Sequence, residues 1–282
     1  VRPKDDSPEA AAFEVMQTST RSLLGGLIWA QRAHTNLTYP ANFLCGFMSN
    51  PSVEVYKHAK HALCHEVAFP APLVFGGGGV RHSLALVESP PMPFSDTYPW
   101  GLHVFVDADL GSPNQDQAAI ADGTVSEPTA SGKSYTGVSI MLAGGELECL
   151  TQRQHLKAPD PHTAEVTAAG TALHHLYPIV GIMREMFIPT EFPVVVYCDS
   201  QSTIFVANDA DSIKRSVWIL RRAGVLREAV DLGIITFVHI NDPENVADRL
   251  TKPVKHDKFL RLLTHTHQHS SQARARVLLL SK

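Results

Sequence analysis

Pro193-Val-Val-Val-Tyr-Cys-Asp199-Ser-Gln-Ser202 places an acid at the end of a short apolar run. Val194 to Cys198 has the length of a buried strand, and the polar residues after Asp199 suit the start of a helix. A carboxylate at the end of a buried strand is costly unless it pairs or coordinates a cation. The pattern recurs upstream in Leu102-His-Val-Phe-Val-Asp107, a β-rich run that ends on Asp107.

Between these runs, Tyr135 to Leu142 and Glu146 to Thr151 read as two strands, with Gly144-Gly145 as the hairpin turn. Pro161 to Phe187 reads as a helix rich in alanine through its first half. Beyond Asp199, residues 200–208 and 213–232 read as helices and Ile234 to Ile240 as a strand. Asp242-Pro243, an N-cap followed by a first-turn proline, opens a last helix. The order β-β-β-α-β-α-α-β-α predicts an α/β fold, a five-stranded mixed sheet flanked by helices.

Ahead of that pattern, Phe13 to Phe69 reads as mainly helical, with Asn50-Pro51 as a turn between helices. Four glycines, Gly76 to Gly79, and then Pro90, Pro91, Pro93 and Pro99 put a boundary near residue 95. The expected divisions are a helical segment 1–95, a sheet domain 96–253 with a long polar loop over 110–133, and a basic extension 254–282.

Composition narrows the classes. Of 282 residues, 44% are hydrophobic and 18% charged, enough for a core. No apolar stretch reaches the ~18 residues of a membrane span. The opening Val1-Arg-Pro-Lys-Asp-Asp6 reads as neither a secretory signal nor a transit peptide, and without an initiator Met the chain reads as a stretch of something longer. The four cysteines form no CxxC pair and no disulfide framework, so an intracellular, reduced protein is expected. Residues 1–100 carry 7 basic and 8 acidic groups, residues 101–253 carry 11 and 19, and residues 254–282 carry 6 and 1. The acidic middle would repel phosphate unless metal ions or a local basic patch intervene.

Four acids fall on matching places of the predicted scaffold: Asp107 and Asp199 at strand ends, Glu165 in the first helix, Asp248 in the last. Singly, each reads better as a helix cap or surface acid. Gathered around one point, they repel one another until divalent cations relieve them. Two such ions can activate water and steady the leaving oxygen of a phosphodiester. Asp109, two residues on from Asp107, reads as a supporting or loop-capping acid rather than a principal ligand. Lys214, Arg215, Arg221 and Arg222 recur at i and i+7 with Trp218 between them, either a solvated helix face or a grip on the phosphates of a duplex.

On these residues the chain resembles ribonuclease H and, more narrowly, the C-terminal part of copia-type retrotransposon reverse transcriptases. Val106-Asp-Ala-Asp109 is similar to that family's Ser-Asp-Ala-Asp, and Thr163-Ala-Glu165 to its Thr-Glu-Ala-Glu. Tyr197-Cys-Asp-Ser-Gln-Ser202 is similar to Tyr-Cys-Asp-Asn-Gln-Ser, and Asn245-Val-Ala-Asp248-Arg-Leu-Thr-Lys-Pro253 to Leu-Ala-Asp-Ile-Phe-Thr-Lys-Pro. Upstream, Arg21-Ser-Leu-Leu-Gly25 and Phe47-Met-Ser-Asn-Pro51 resemble the segment that follows the polymerase palm, so the likeness covers roughly residues 20–263. The chain departs from the family at Leu110, where an aromatic is usual, and at Lys214 to Trp218.

The resemblance implies a ribonuclease H-like domain behind a connection segment. Its activity would be hydrolysis of the RNA strand of RNA–DNA hybrids with two Mg²⁺ or Mn²⁺ ions held by Asp107, Glu165, Asp199 and Asp248. The implied partners are the hybrid and the polymerase part of the same polyprotein, with no membrane. The alternatives are a catalytically inactive connection module and a DDE-type integrase core, which shares the fold.

Overall fold

The computed structural model describes residues 8–68, 101–111, 132–143, 145–188, 190–208, 217–255, 257–259 and 262. The expected boundary near residue 95, the loop 112–131 and nearly all of the extension beyond residue 259 lie outside them, as do Lys214 and Arg215. The described residues fall into two compact units, one of residues 8–68 with Gly132 and one of the other described residues from 101 onward.

The first unit is helical, as the sequence predicts. It contains α1 (Pro8–Ala30), α2 (Thr38–Cys45) and α3 (Val53–Ala68), and α3 begins just after the predicted turn at Asn50-Pro51. Leu24, Leu27, Leu37, Ala41, Leu44, Val55 and Ala59 form its core. The buried Glu66 meets Nδ1 of His34 at 2.9 Å.

The second unit holds β1 (His103–Asp109), β2 (Tyr135–Leu142), β3 (Gly145–Arg153), α4 (Pro161–Glu185), β4 (Val194–Cys198), α5 (Gln201–Asn208), α6 (Val217–Asp231) and β5 (Ile235–His239). The five strands form one sheet in the order β3-β2-β1-β4-β5. β1, β2 and β3 run antiparallel in turn, and β4 and β5 continue parallel to β1. This is the five-stranded mixed sheet that the element order predicts.

The sheet is covered on both sides, which is why β1 reads as a nearly unbroken apolar run. Val104 and Val106 join Val138, Ile140, Val166, Ala169, Leu173 and Leu176 in one cluster. Phe105, Tyr197 and Met141 pack with Ile240, Val246, Ala247 and Leu250 in another. The alternation along β1 is the period of two of a strand with two dry faces. Small residues at 164, 168, 169 and 172, all alanine and all buried, form much of the inner side of α4. That helix begins where Asp160 accepts hydrogen bonds from Thr163 N at 2.7 Å and Thr163 Oγ1 at 3.0 Å, with Pro161 next to the cap.

Two expectations need correction. The hairpin turn is placed one residue earlier than predicted: Leu142 pairs with Gly145, and Ala143 takes the left-handed conformation with φ 49°. The predicted last helix is instead a pair of 3-10 turns, Asp242–Glu244 and Val246–Leu250. The cause is the side chain of Asn245. It donates to Val106 O at 2.9 Å and accepts from Ala247 N at 3.1 Å, fastening the chain to β1. All five residues from Val246 to Leu250 are then buried, and the chain cannot keep the single buried stripe of a surface α-helix.

Candidate active site

Strand register assembles the first pair of acids. Val106 of β1 is opposite Cys198 of the parallel strand β4, so Asp107 and Asp199 come next on neighbouring strands; β1 continues to Asp109, so Asp107 lies two residues inside its carboxyl end rather than closing it. β1 leads to β2 on one side and β4 to β5 on the other, so these acids sit where the strand order reverses. Such a crevice is where open α/β sheets hold their ligands. Asp107 is 2% exposed, and its Oδ2 accepts a hydrogen bond from the Thr251 hydroxyl.

α4 brings Glu165 to the same place. Its Oε1 accepts from Ala108 N at 3.3 Å, and its Oε2 is buried with no hydrogen-bond partner. Gln154 steadies the start of the helix, donating to Ala164 O and Thr136 Oγ1, each at 3.0 Å. Ligand atoms of Glu165, Asp199 and Cys198 all lie within 4.8 Å of one another.

The second 3-10 turn delivers Asp248, which is fully buried. Its two oxygens are met separately, Oδ1 by the Lys252 ammonium and Oδ2 by Lys258. The turn is held against the β2–β3 hairpin by three devices. Thr151 Oγ1 donates to Leu250 O at 2.7 Å. Arg249 Nη2 lies 2.5 Å from both carboxylate oxygens of Glu146, each residue nearly sealed from solvent. Gly137, opposite Asp107 in the ladder, has so little room that an added Cβ would lie 2.8 Å from Ala247 O.

The electrostatics follow from burial and crowding. Burial first, and then the Asp199 charge, pushes Asp107 up to about 7, while the Thr251 hydrogen bond works against the rise. Burial, then Asp107 and Asp199, pushes Glu165 up to about 9. Burial also raises Asp199 and Asp109. The Cys198 thiol is pushed well up by burial and by Glu165. Burial would lower the Lys252 ammonium, but Asp248, Asp107 and Asp242 outweigh it and the net shift is upward.

The structure therefore brings together all four acids that the sequence singles out. Asp109 ends β1, half-buried at the rim. Of the five residues of the expected basic face, Arg221 is exposed and Arg222 lines a cavity of about 80 Å³ with Gln152, His155, Thr167 and Thr171, while Lys214, Arg215 and the Trp218 side chain lie outside the described part. Burial lowers the Arg222 guanidinium. Sequence reasoning passed over Asn245, Thr251 and Lys258. The first two stand inside the motif around Asp248, so their place could have been read there, whereas Lys258 lies beyond it with no spacing that marks it.

The donor set suits a hard divalent cation. Carboxylate oxygens are the ligands Mg²⁺ and Mn²⁺ prefer, and the orphaned Oε2 of Glu165 is a buried acceptor directed at no protein donor. A protonated Cys198 beside it is a poor ligand for such an ion.

No family model matches the chain. Over 242 residues, 86% of its length, the chain is 21% identical to the retrovirus-related Pol polyproteins from transposons RE1 and RE2 of Arabidopsis thaliana. Over 127 residues, 45% of its length, it is 32% identical to the Pol polyprotein from transposon TNT 1-94 of Nicotiana tabacum. The chain spans 14% of the first two polyproteins and 10% of the third. Among solved structures, LC11-RNase H1 in complex with an RNA/DNA hybrid is 18% identical and matches 53% of this chain and 93% of its own, with a TM-score of 0.38. Along most of its length the chain is similar in sequence to retrotransposon Pol polyproteins.

Proposed function

We propose that the protein is a ribonuclease H of a retroelement Pol polyprotein, an endonuclease that hydrolyses the RNA strand of RNA–DNA hybrids. The observation that carries this reading is the convergence of Asp107, Glu165, Asp199 and Asp248 toward the carboxyl ends of β1 and β4, with Glu165 Oε2 left as a buried acceptor. These four would hold Mg²⁺ or Mn²⁺, and the bound ions would lower the pKa of the attacking water and offset charge on the departing 3′ oxygen.

The chain's own groups prepare that site. Thr251 fixes Asp107, Asn245 holds the turn against β1, and the Glu146–Arg249 pair holds Asp248 in position. Preference for a hybrid over a DNA duplex would come from contacts to 2′-hydroxyls of one strand. The basic stretch that holds Lys214, Arg215, Trp218, Arg221 and Arg222 would grip backbone phosphates, and the polymerase part of the polyprotein would be its covalent partner.

Incubation with a labelled RNA–DNA hybrid, with and without Mg²⁺, tests the reading. Metal-dependent cleavage of the RNA strand alone is the expected result. Metal binding without cleavage would identify a non-catalytic module, and strand transfer of DNA ends an integrase core.

A further inference from the structure

The four acids are not equivalent. Among the described residues, no ion pair falls on Glu165 or Asp199, and Glu165 Oε2 has no hydrogen-bond partner. Asp248 likewise keeps both oxygens buried without a hydrogen bond, but an ammonium group is in ion-pair contact with each, Lys252 at Oδ1 and Lys258 at Oδ2. The same two ammonium groups reach out to Asp242, at 3.9 Å from Lys252 and 3.5 Å from Lys258. Asp242 is at the surface, with 61% of its side chain exposed, whereas the Asp248 side chain is wholly buried. Each lysine is thus shared between a buried acid of the site and an acid in solvent.

We infer that Lys252 and Lys258 form a cation gate: in the free protein they hold Asp248 as its counter-ions and keep one divalent-ion position closed, and phosphates of the bound hybrid draw them off. The inference rests on the hydrolase reading above and adds how the site is charged. Two ammonium groups bring the same +2 as one divalent ion, at the same two oxygens. Mg²⁺ gives up its water reluctantly, so it has little advantage over two ammonium groups already in contact. Lysine is a compact charge on a flexible stem, and both side chains here keep partial exposure, at 36% and 25%. An arriving run of phosphates gives them stronger partners than Asp242, and the vacated Asp248 then completes a second cation position. The Glu165–Asp199 side stays open to a cation throughout.

Counting bound Mn²⁺ by electron paramagnetic resonance, on the free protein, tests the gate without any cleavage. The wild type should bind one Mn²⁺ tightly, and Lys252→Met/Lys258→Met should bind two. The double variant should also bind hybrid with a shallower salt dependence, by roughly 1.4–1.8 in the logarithmic slope for two lost phosphate contacts. Two tightly bound Mn²⁺ on the free wild type would overturn the gate, as would a single one on a folded double variant. If stripping Asp248 of both lysines prevents folding, the wild-type count and the salt slope of Lys258→Met alone, shallower by about 0.7–0.9, still decide it. A protein that meets these counts yet leaves every hybrid intact would sink the ribonuclease reading and leave the gate standing.

Discussion

The Thr251 hydroxyl donates to Asp107 across 144 positions of sequence, and together with the Asn245 bond to Val106 it ties the first strand to the turn after β5. It also opposes the upward pressure that burial and Asp199 place on the Asp107 carboxyl. Thr251→Val keeps the shape and removes the donor. It should cost ~1–3 kcal/mol of stability, the penalty of a buried acceptor left unmatched. It should also raise the Asp107 pKa further, so Mg²⁺ should bind more weakly at neutral pH. Urea unfolding and Mg²⁺ titration of the variant check the two effects separately.

Gly137 permits the close approach that this bond needs. A Cβ there would lie 2.8 Å from Ala247 O and Thr251 Cγ2 and 2.9 Å from Leu250 Cβ. Backbone on one side and a packed turn on the other leave little room to yield. Gly137→Ala should therefore destabilise by ~1–3 kcal/mol through overpacking. Melting should fall, and hybrid cleavage with it, because the turn that moves carries Asp248. A variant as stable and active as the wild type would mean that the turn can give way freely.

The Glu146–Arg249 pair separates charge from packing. Both groups are sealed, and Ser139 Oγ also donates to Glu146 Oε1 at 2.5 Å. Arg249→Met leaves a buried carboxylate without its cation and should cost ~3–5 kcal/mol. Adding Glu146→Leu should recover most of that loss, since a hydrophobic pair of similar volume often replaces a buried ion pair without cost. Denaturation of the single and double variants gives the coupling directly.

The parts of this site that the sequence made legible are those built from local patterns. Asp107 and Asp199 announce themselves as acids closing apolar runs, and the helix over Pro161–Glu185 carries its own cap at Asp160. What stayed hidden depends on contacts between distant segments. No local signal links Glu146 to Arg249, 103 positions apart, or places Lys258 on Asp248. The turn after β5 misled for a related reason. Asp242-Pro243 is a sound helix start, but the Asn245 anchor to Val106 overrides that local preference.

Asp107→Asn tests the centre of the site. It removes a charge that repels Asp199 and Asp248 while keeping a polar group of the same shape. Cleavage of hybrid should be lost, and stability without metal should hold or rise, because the crowding is relieved. Turnover at the wild-type rate would remove Asp107 from the chemistry.

The final prediction joins metal to pH. Folded Glu165 titrates at about 9 against an ordinary 4.5, and folded Asp107 at about 7 against 3.8. Over that window the folded protein binds more protons than the unfolded chain, so the metal-free protein loses stability as pH rises. The stabilising contribution is complete below the unfolded values, near 4, and is lost as pH climbs through 7 for Asp107 and 9 for Glu165. A divalent ion reverses the trend, because it binds the ionised acids in the folded state alone. At a hundredfold excess over its dissociation constant it adds ~2.7 kcal/mol, and its affinity grows as protons leave. The rise in melting temperature with Mg²⁺ or Mn²⁺ should therefore be small at pH 5 and largest near pH 9. Asp199→Asn should shrink it, because that acid stands within 4.8 Å of the Glu165 ligand atom. Melting curves that ignore both ions from pH 5 to 9 would mean that these carboxylates hold no cation, and the non-catalytic module would become the better account of the fold.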